Sequence, residues 1–226
     1  EIHILPEYSN LIDSVGGTLV VNPYAFFGQP AVWPRGYPLK SIHSEQPQAE
    51  SAENLFTPIQ QGLVNLDPDV DAIFRLTRQE LIYFENKSMS LALKRATFAP
   101  FNSQNTLFYY SAFWALLMPC TISLRVADIW RGYWAQRLLW DLGGHLCFTQ
   151  ATAYQERNPH DLLVDFKDEL DLYLKVDRFL GFLVAWKSNR LSLQERIINL
   201  FECLVAEKFI ESNDLELAKA WLKDLN

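Results

Sequence analysis

The sequence predicts an α/β core followed by an all-helical C-terminal layer. Two observations carry this. Short β-like runs interleave with helical runs as far as residue 160, and helical periodicity alone continues from residue 161 to the end. The 226 residues, 49% hydrophobic and 14% aromatic, supply a core for one sizeable domain with an appendage. The expected division is 1–160 for the α/β core and 161–226 for a helical extension packed on it.

Bulk properties bound the function. A formal net charge of -7 argues against a nucleic-acid backbone binder, which needs a basic face. A phosphate-bearing small molecule stays open, because it needs only a local arginine or a metal. Cys120, Cys147 and Cys203 sit in apolar runs without CxxC spacing, so they read as buried free thiols. No apolar run reaches about 18 residues, so no membrane-spanning helix is expected. The chain begins Glu1-Ile2-His3, with neither an initiator Met nor a signal peptide, and reads as a piece of something longer.

Residues 1–17 are short apolar bits broken by Pro6, Asn10, Gly16 and Gly17. Residues 18–21 read as a buried strand. Residues 22–39 hold four prolines, and Gly28 and Gly36 lie among many aromatics, which predicts a rigid, ordered loop. Arg35-Gly36-Tyr37 either presents a guanidinium and a ring to a ligand or belongs to an aromatic loop packed over a sheet. Residues 43–54 are polar and read as the most mobile loop. Asp67, Asp69 and Asp71 alternate between apolar runs. In an extended segment they point to one side and can hold a hard cation; otherwise they form a solvated turn.

Residues 91–95 read as a strand, and residues 101–110 as a polar amide cluster ending in an aromatic β-run. Residues 111–118 read as a short helix stopped by Pro119, and residues 121–126 as a strand. Residues 125–140 then mix one acid, three arginines and three tryptophans, more than a packing helix needs. Entered at Asp128 as N-cap, this helix places Ile129, Tyr133, Gln136 and Trp140 near one face. Asp128 and Arg131 then stand at its mouth, either as a site or as a cap with surface arginines. Gly143-Gly144 ends the helix, residues 145–148 form a strand, and residues 154–160 a polar loop whose Arg157, Asn158 and His160 can serve a ligand. Beyond it, Leu170, Leu174, Phe179, Phe182, Leu183 and Trp186 recur at helical spacing. Ser192-Leu193-Gln194-Glu195 is a capping box, and a last helix spans residues 214–225.

Several of these segments, in this order, resemble the STELLO-type glycosyltransferases. They are Asn22-Pro23-Tyr24 with Trp33-Pro34-Arg35-Gly36-Tyr37-Pro38-Leu39, then Asp69-Val70-Asp71-Ala72, then Phe101-Asn102-Ser103-Gln104-Asn105-Thr106-Leu107-Phe108, then Asp128-Ile129-Trp130-Arg131-Gly132-Tyr133-Trp134. The likeness runs on into Ala218-Lys219-Ala220-Trp221-Leu222. The chain is more distantly similar to plant reversibly glycosylated polypeptides, the UDP-arabinopyranose mutases. Together these resemblances imply a GT-A-like nucleotide-sugar transferase core, of which this chain holds at least the C-terminal part, and a UDP-sugar donor.

The resemblance also implies roles. Arg35, Gly36 and Tyr37 would line the donor site, with Asp69 and Asp71 beside the sugar or its diphosphate. Asn105, Trp130 and Arg131 would face the acceptor. Asp128 would act as general base or bind the acceptor, and His160, or Arg157 beside it, would contact the metal or diphosphate. A divalent cation, Mn or Mg, is implied, as are the Golgi lumen and protein partners in a polysaccharide-synthesis complex. One departure stands out. These families carry an acidic metal motif before the Asn-Pro-Tyr segment, whereas residues 1–21 contain only Glu1, Glu7 and Asp13. Either the motif lies upstream in a longer protein or the metal site is absent. The expected function is transfer of a sugar from a nucleotide-sugar donor to an acceptor; the alternatives are a non-catalytic scaffold of transferase fold and a sugar mutase.

Overall fold

The computed structural model describes residues 2–4, 19–52, 54–87, 89–189 and 192–225. Most of the broken N-terminal stretch and the first residue of the expected strand 18–21 lie outside them, as does Glu53 in the expected mobile loop. Among the described residues the strands are β1 (Ile2–Ile4), β2 (Leu19–Val20), β3 (Glu50–Ala52), β4 (Ile59–Leu66), β5 (Ser90–Ala92), β6 (Thr97–Phe98), β7 (Thr106–Phe108) and β8 (Leu146–Gln155). The helices are α1 (Pro23–Phe26), α2 (Ala72–Thr77), α3 (Leu124–Asp141), α4 (Leu162–Asp168), α5 (Leu170–Leu174), α6 (Val176–Ala185), α7 (Leu193–Ala206) and α8 (Ser212–Asp224). The fold is mixed α/β.

Six strands form one sheet in the order β3-β1-β5-β8-β4-β7, and β2 and β6 pair separately. Within the large sheet β1 and β5 run parallel, as do β4 and β8, while the other neighbours are antiparallel. The β4–β8 ladder is the longest and shifts register around Leu63. Gly62 sits there because a Cβ would meet the Asn105 and Thr152 side chains at 2.6 Å.

Helix α3 crosses the core. Residues 126–139 are all buried, so the helix has no polar face to give it a period. Ser123 caps it, accepting from the Arg125 N–H. Two expectations fail here: residues 121–126 are not a strand, and Asp128 is not the N-cap but lies one turn inside the helix. The alternating apolar residues before Asp128 imitate a strand because the first turn is half-buried. Other differences are smaller. The strand expected at residues 91–95 is β5 at Ser90–Ala92, and the helix expected at 111–118 is a 3-10 turn over Tyr110–Leu116. The strand expected at 145–148 continues to Gln155, shortening the polar loop behind it. The loop at 43–54 contains β3, and residues 22–39 contain α1. Cys147 is buried as expected, but Cys203 is half-buried and Cys120 is exposed.

The C-terminal helices share the core with the sheet and α3. Trp130 stacks on Phe179 at 4.6 Å, and Trp134 meets Phe201 edge-on at 5.4 Å. The capping box at the start of α7 forms as its sequence requires. Among the described residues no helix is long and apolar enough to cross a membrane.

Candidate active site

The turn Pro34-Arg35-Gly36-Tyr37 begins the site. Tyr37 N–H donates to the Pro34 carbonyl at 3.1 Å, and Gly36 takes φ +84°, which a side chain would strain. A Cβ on Gly36 would also lie 2.3 Å from Ile129 of α3, so the glycine lets the turn rest on that helix. Arg35 N–H donates to the Asp69 carbonyl at 2.9 Å, fixing the turn against residues 67–71. The guanidinium is thereby aimed between Asp69 and Asp128.

Arg35 grips both carboxylates. Its Nε and Nη2 donate to Asp69 at 2.9 and 2.8 Å, and its Nη1 and Nη2 donate to Asp128 at 3.0 Å each. Nη1 also donates to the Arg125 carbonyl. Burial opposes charge on Arg35, but Asp69 and Asp128 outweigh it and hold the guanidinium protonated well above its ordinary range. Burial likewise pushes the Asp69 carboxyl up, and Arg35 overrides it and holds the group below the usual carboxylate range. One guanidinium thus holds two carboxylates, while Arg125 and Arg157 also act on Asp69 from the cavity walls.

Above the floor opens a cavity of about 410 Å³, in the size range of small-molecule sites. Every residue lining it is polar or charged. Asn102 and Gln104 form one wall; the Asn102 side chain accepts from the Gln104 N–H at 2.8 Å and from Gln61 at 2.9 Å. Ser103 N–H donates to Asp128 at 3.3 Å. Arg125 forms another wall, held from behind by Glu169, whose carboxylate is fully buried and also accepts from the Ala72 N–H at 2.8 Å and from the Tyr173 hydroxyl. The third wall follows β8 and carries Gln155, Glu156, Arg157, Asn158 and His160.

Comparison with known proteins then places the chain. A profile of STELLO glycosyltransferases matches residues 125–226, which include Asp128 and the third wall. The sequence is 40% identical over 215 residues, 91% of the chain, to the "Probable glycosyltransferase STELLO1" of Arabidopsis thaliana. It is equally similar to "Probable glycosyltransferase STELLO2" of the same plant. The chain belongs to the STELLO family. It spans 27% of the length of STELLO1 and 28% of STELLO2.

Of the residues singled out in this STELLO-family sequence, the structure gathers Arg35, Asp69, Asp128, Arg157, Asn158 and His160 at one cavity. The others sit elsewhere. Tyr37 is buried with its hydroxyl on the Val20 and Ser41 carbonyls, and Gly36 accepts from Tyr133 at 2.8 Å. Asp71 is fully buried as the cap of α2, accepting from the Phe74 N–H and from Trp33 Nε1 at 2.7 Å each. Asp67 pairs with Arg75, so the three alternating acids do not share a side: residue 71 starts a helix and turns away. Asn105 binds Thr152 at 2.8 Å outside the cavity. Trp130 is core, and Arg131 is buried over Phe101 and Phe108 while donating to Ser103 Oγ at 2.7 Å. Burial lowers the Arg131 pKa to about 10, partly opposed by Asp128.

Among the described residues the cavity side chains do not make a divalent-cation site. Arg35 occupies the space between the two cavity carboxylates where a cation would need to sit. His160 Nδ1 lies 3.5 Å from Asp165, which also faces Arg125 and Arg157. Among the described residues no three His, Cys, Asp or Glu side chains converge as metal ligands.

Sequence reasoning passed over Asn102, Gln104, Arg125, Asp165 and Glu169. Asn102 and Gln104 stood in the amide cluster from which Asn105 was singled out. Asp165 and Glu169 stand one helical turn apart, but Lys167, Asp168 and Asp171 around them hide the pair among charges that read as a solvated face.

Proposed function

We propose that this chain forms the sugar-transfer site of a glycosyltransferase, with a GT-A-like core and a UDP-sugar as donor class. The observation that carries the reading is the Asp69–Arg35–Asp128 floor, two carboxylates held on one guanidinium, under a cavity lined wholly by polar and charged residues. Hydroxyl-rich ligands need alternating donors and acceptors, and the amides, carboxylates and guanidinium groups of the walls provide them. Glycosyl transfer passes through an oxocarbenium-like state, in which positive charge develops on the sugar ring. Carboxylate oxygens fixed against the ring by that floor favour this state more than the neutral ground state, which is how electrostatic catalysis arises.

In this reading Asp128 Oδ1, which Arg35 leaves with a spare lone pair, accepts the proton of the acceptor hydroxyl. The acceptor oxygen bonds to the anomeric carbon, and the bond to the diphosphate oxygen breaks with its electrons leaving on the diphosphate. Arg35 orients Asp128 through two hydrogen bonds, and Asn102 and Gln104 orient sugar hydroxyls. The names of the relatives and the family profile support the same activity. The resemblance further supports a place in the Golgi lumen beside polysaccharide-synthesising partners, which fractionation and co-purification of the tagged protein test.

One observation favours a second reading. Both oxygens of Asp128 already accept hydrogen bonds from Arg35, as suits a scaffold that keeps the fold without turnover. Incubating the chain with UDP-sugars and following UDP release and melting temperature separates the two. Sugar-dependent stabilisation with UDP release supports transfer; an unchanged melting curve across the UDP-sugars leaves the scaffold.

A further inference from the structure

We infer that Arg157 is a preorganised diphosphate-binding residue, so that this chain holds its nucleotide-sugar by a guanidinium and not through a bridging divalent cation. The inference rests on the nucleotide-sugar reading above. Among the described residues Arg157 donates no hydrogen bond, and its Nε is buried without a partner. Its side chain is only 15% exposed, and its nearest carboxylate, Asp165, stands 3.9 Å from Nη2, too far for a hydrogen bond. A buried donor left unmade is costly, so it marks a place where a ligand is missing.

The surroundings make that ligand an anion. Burial lowers the Arg157 pKa, and repulsion from Arg75 and Arg125 adds to it, with Asp67 and Asp69 only partly opposing. Both neighbouring arginines already hold a carboxylate, Arg125 that of Glu169 and Arg75 that of Asp67, although Arg75 Nε is, like Arg157 Nε, buried without a partner. Of the three, Arg157 is the one with no carboxylate within hydrogen-bond distance among the described residues, so its guanidinium is left for an incoming oxyanion, which it binds in two-pronged fashion.

Position adds the ligand's shape. Arg157, Asn158 and His160 line both the 410 Å³ polar cavity and a second cavity of about 360 Å³. The second one has a mixed lining, with Leu66, Leu81 and Leu162 beside Arg78 and Gln79. A diphosphate on Arg157 therefore has room for a sugar on the Asp128 side and a nucleoside on the Leu81 side. The acidic floor and the arginine between the cavities match the charge separation of a departing sugar and its diphosphate.

The test is calorimetric titration of the 226-residue chain with pyrophosphate and with UDP, each in EDTA and in manganese. The expected result is that both bind in EDTA. Arg157→Gln then weakens both by roughly tenfold to a hundredfold, the loss that follows removal of a charge-assisted hydrogen bond, and Arg157→Lys recovers part of it. Leu81→Glu weakens UDP and spares pyrophosphate. Binding of UDP only with manganese, or binding in EDTA that Arg157→Gln leaves intact, overturns the inference while the nucleotide-sugar reading stands. No binding in either medium overturns both. A melting curve of each variant matched to wild type shows that the loss is local.

Discussion

Asp69 and Asp71 are two residues apart, and their carboxyl groups move in opposite directions. Asp69 faces the cavity and Arg35 holds it below the ordinary carboxylate range despite its burial. Asp71 faces the core, and burial raises it to about 6, though the Phe74 N–H and Trp33 both donate to it. The difference is one of partners: Asp69 has a cation, while Asp71 has neutral donors and the nearby Glu169 carboxylate. The first acid is therefore available to chemistry as a fixed charge, and the second is a structural cap.

The largest expected effect comes from removing the shared cation. Arg35→Met leaves two buried carboxylates without a partner and destabilises the fold by about 3–5 kcal/mol, read by urea unfolding. Adding Asp69→Asn and Asp128→Asn recovers much of the loss, which separates lost pairing from lost packing. The next effect is pH dependence. Native Asp71 keeps its proton to about pH 6, whereas the unfolded chain releases it near 3.8. The native state thus binds more protons between these values, and stability falls by on the order of 2–3 kcal/mol as pH rises through that window. Asp71→Asn removes this slope. Asp69 has the opposite sign: its contribution is present above the unfolded pKa and is lost as pH falls through its lowered native one. The smallest effect belongs to His160, half exposed beside Asp165. His160→Ala shifts stability by no more than about 0.5 kcal/mol in the same unfolding assay.

Local signals were legible in the sequence and long-range ones were not. The Ser192–Glu195 capping box, the glycines ending α3 and the helical repeat after residue 161 depend on neighbours in the chain, and each forms. The start of α3 was misread because its first turn is half-buried, with Leu124 exposed and Val126 buried, so its apolar residues alternate as in a strand. Arg35, Asp69 and Asp128 were marked separately, but their meeting depends on a turn that Gly36 permits against Ile129, 93 residues from the turn. Glu169 was invisible for the same reason: its partners Arg125 and Ala72 lie 44 and 97 residues away. Of the alternating acids, only knowledge that a helix begins at Ala72 separates Asp71 from Asp69.

The most direct test sets Asp128→Asn against Asp71→Asn, measuring UDP release from UDP-sugar with acceptor alongside melting temperature. If the cavity floor performs the chemistry, Asp128→Asn keeps a folded protein and loses at least about a hundredfold in rate, as removal of a general base does. Asp71→Asn keeps its rate. Wild-type turnover in Asp128→Asn would contradict the account and leave Asp128 as a partner for Arg35 alone.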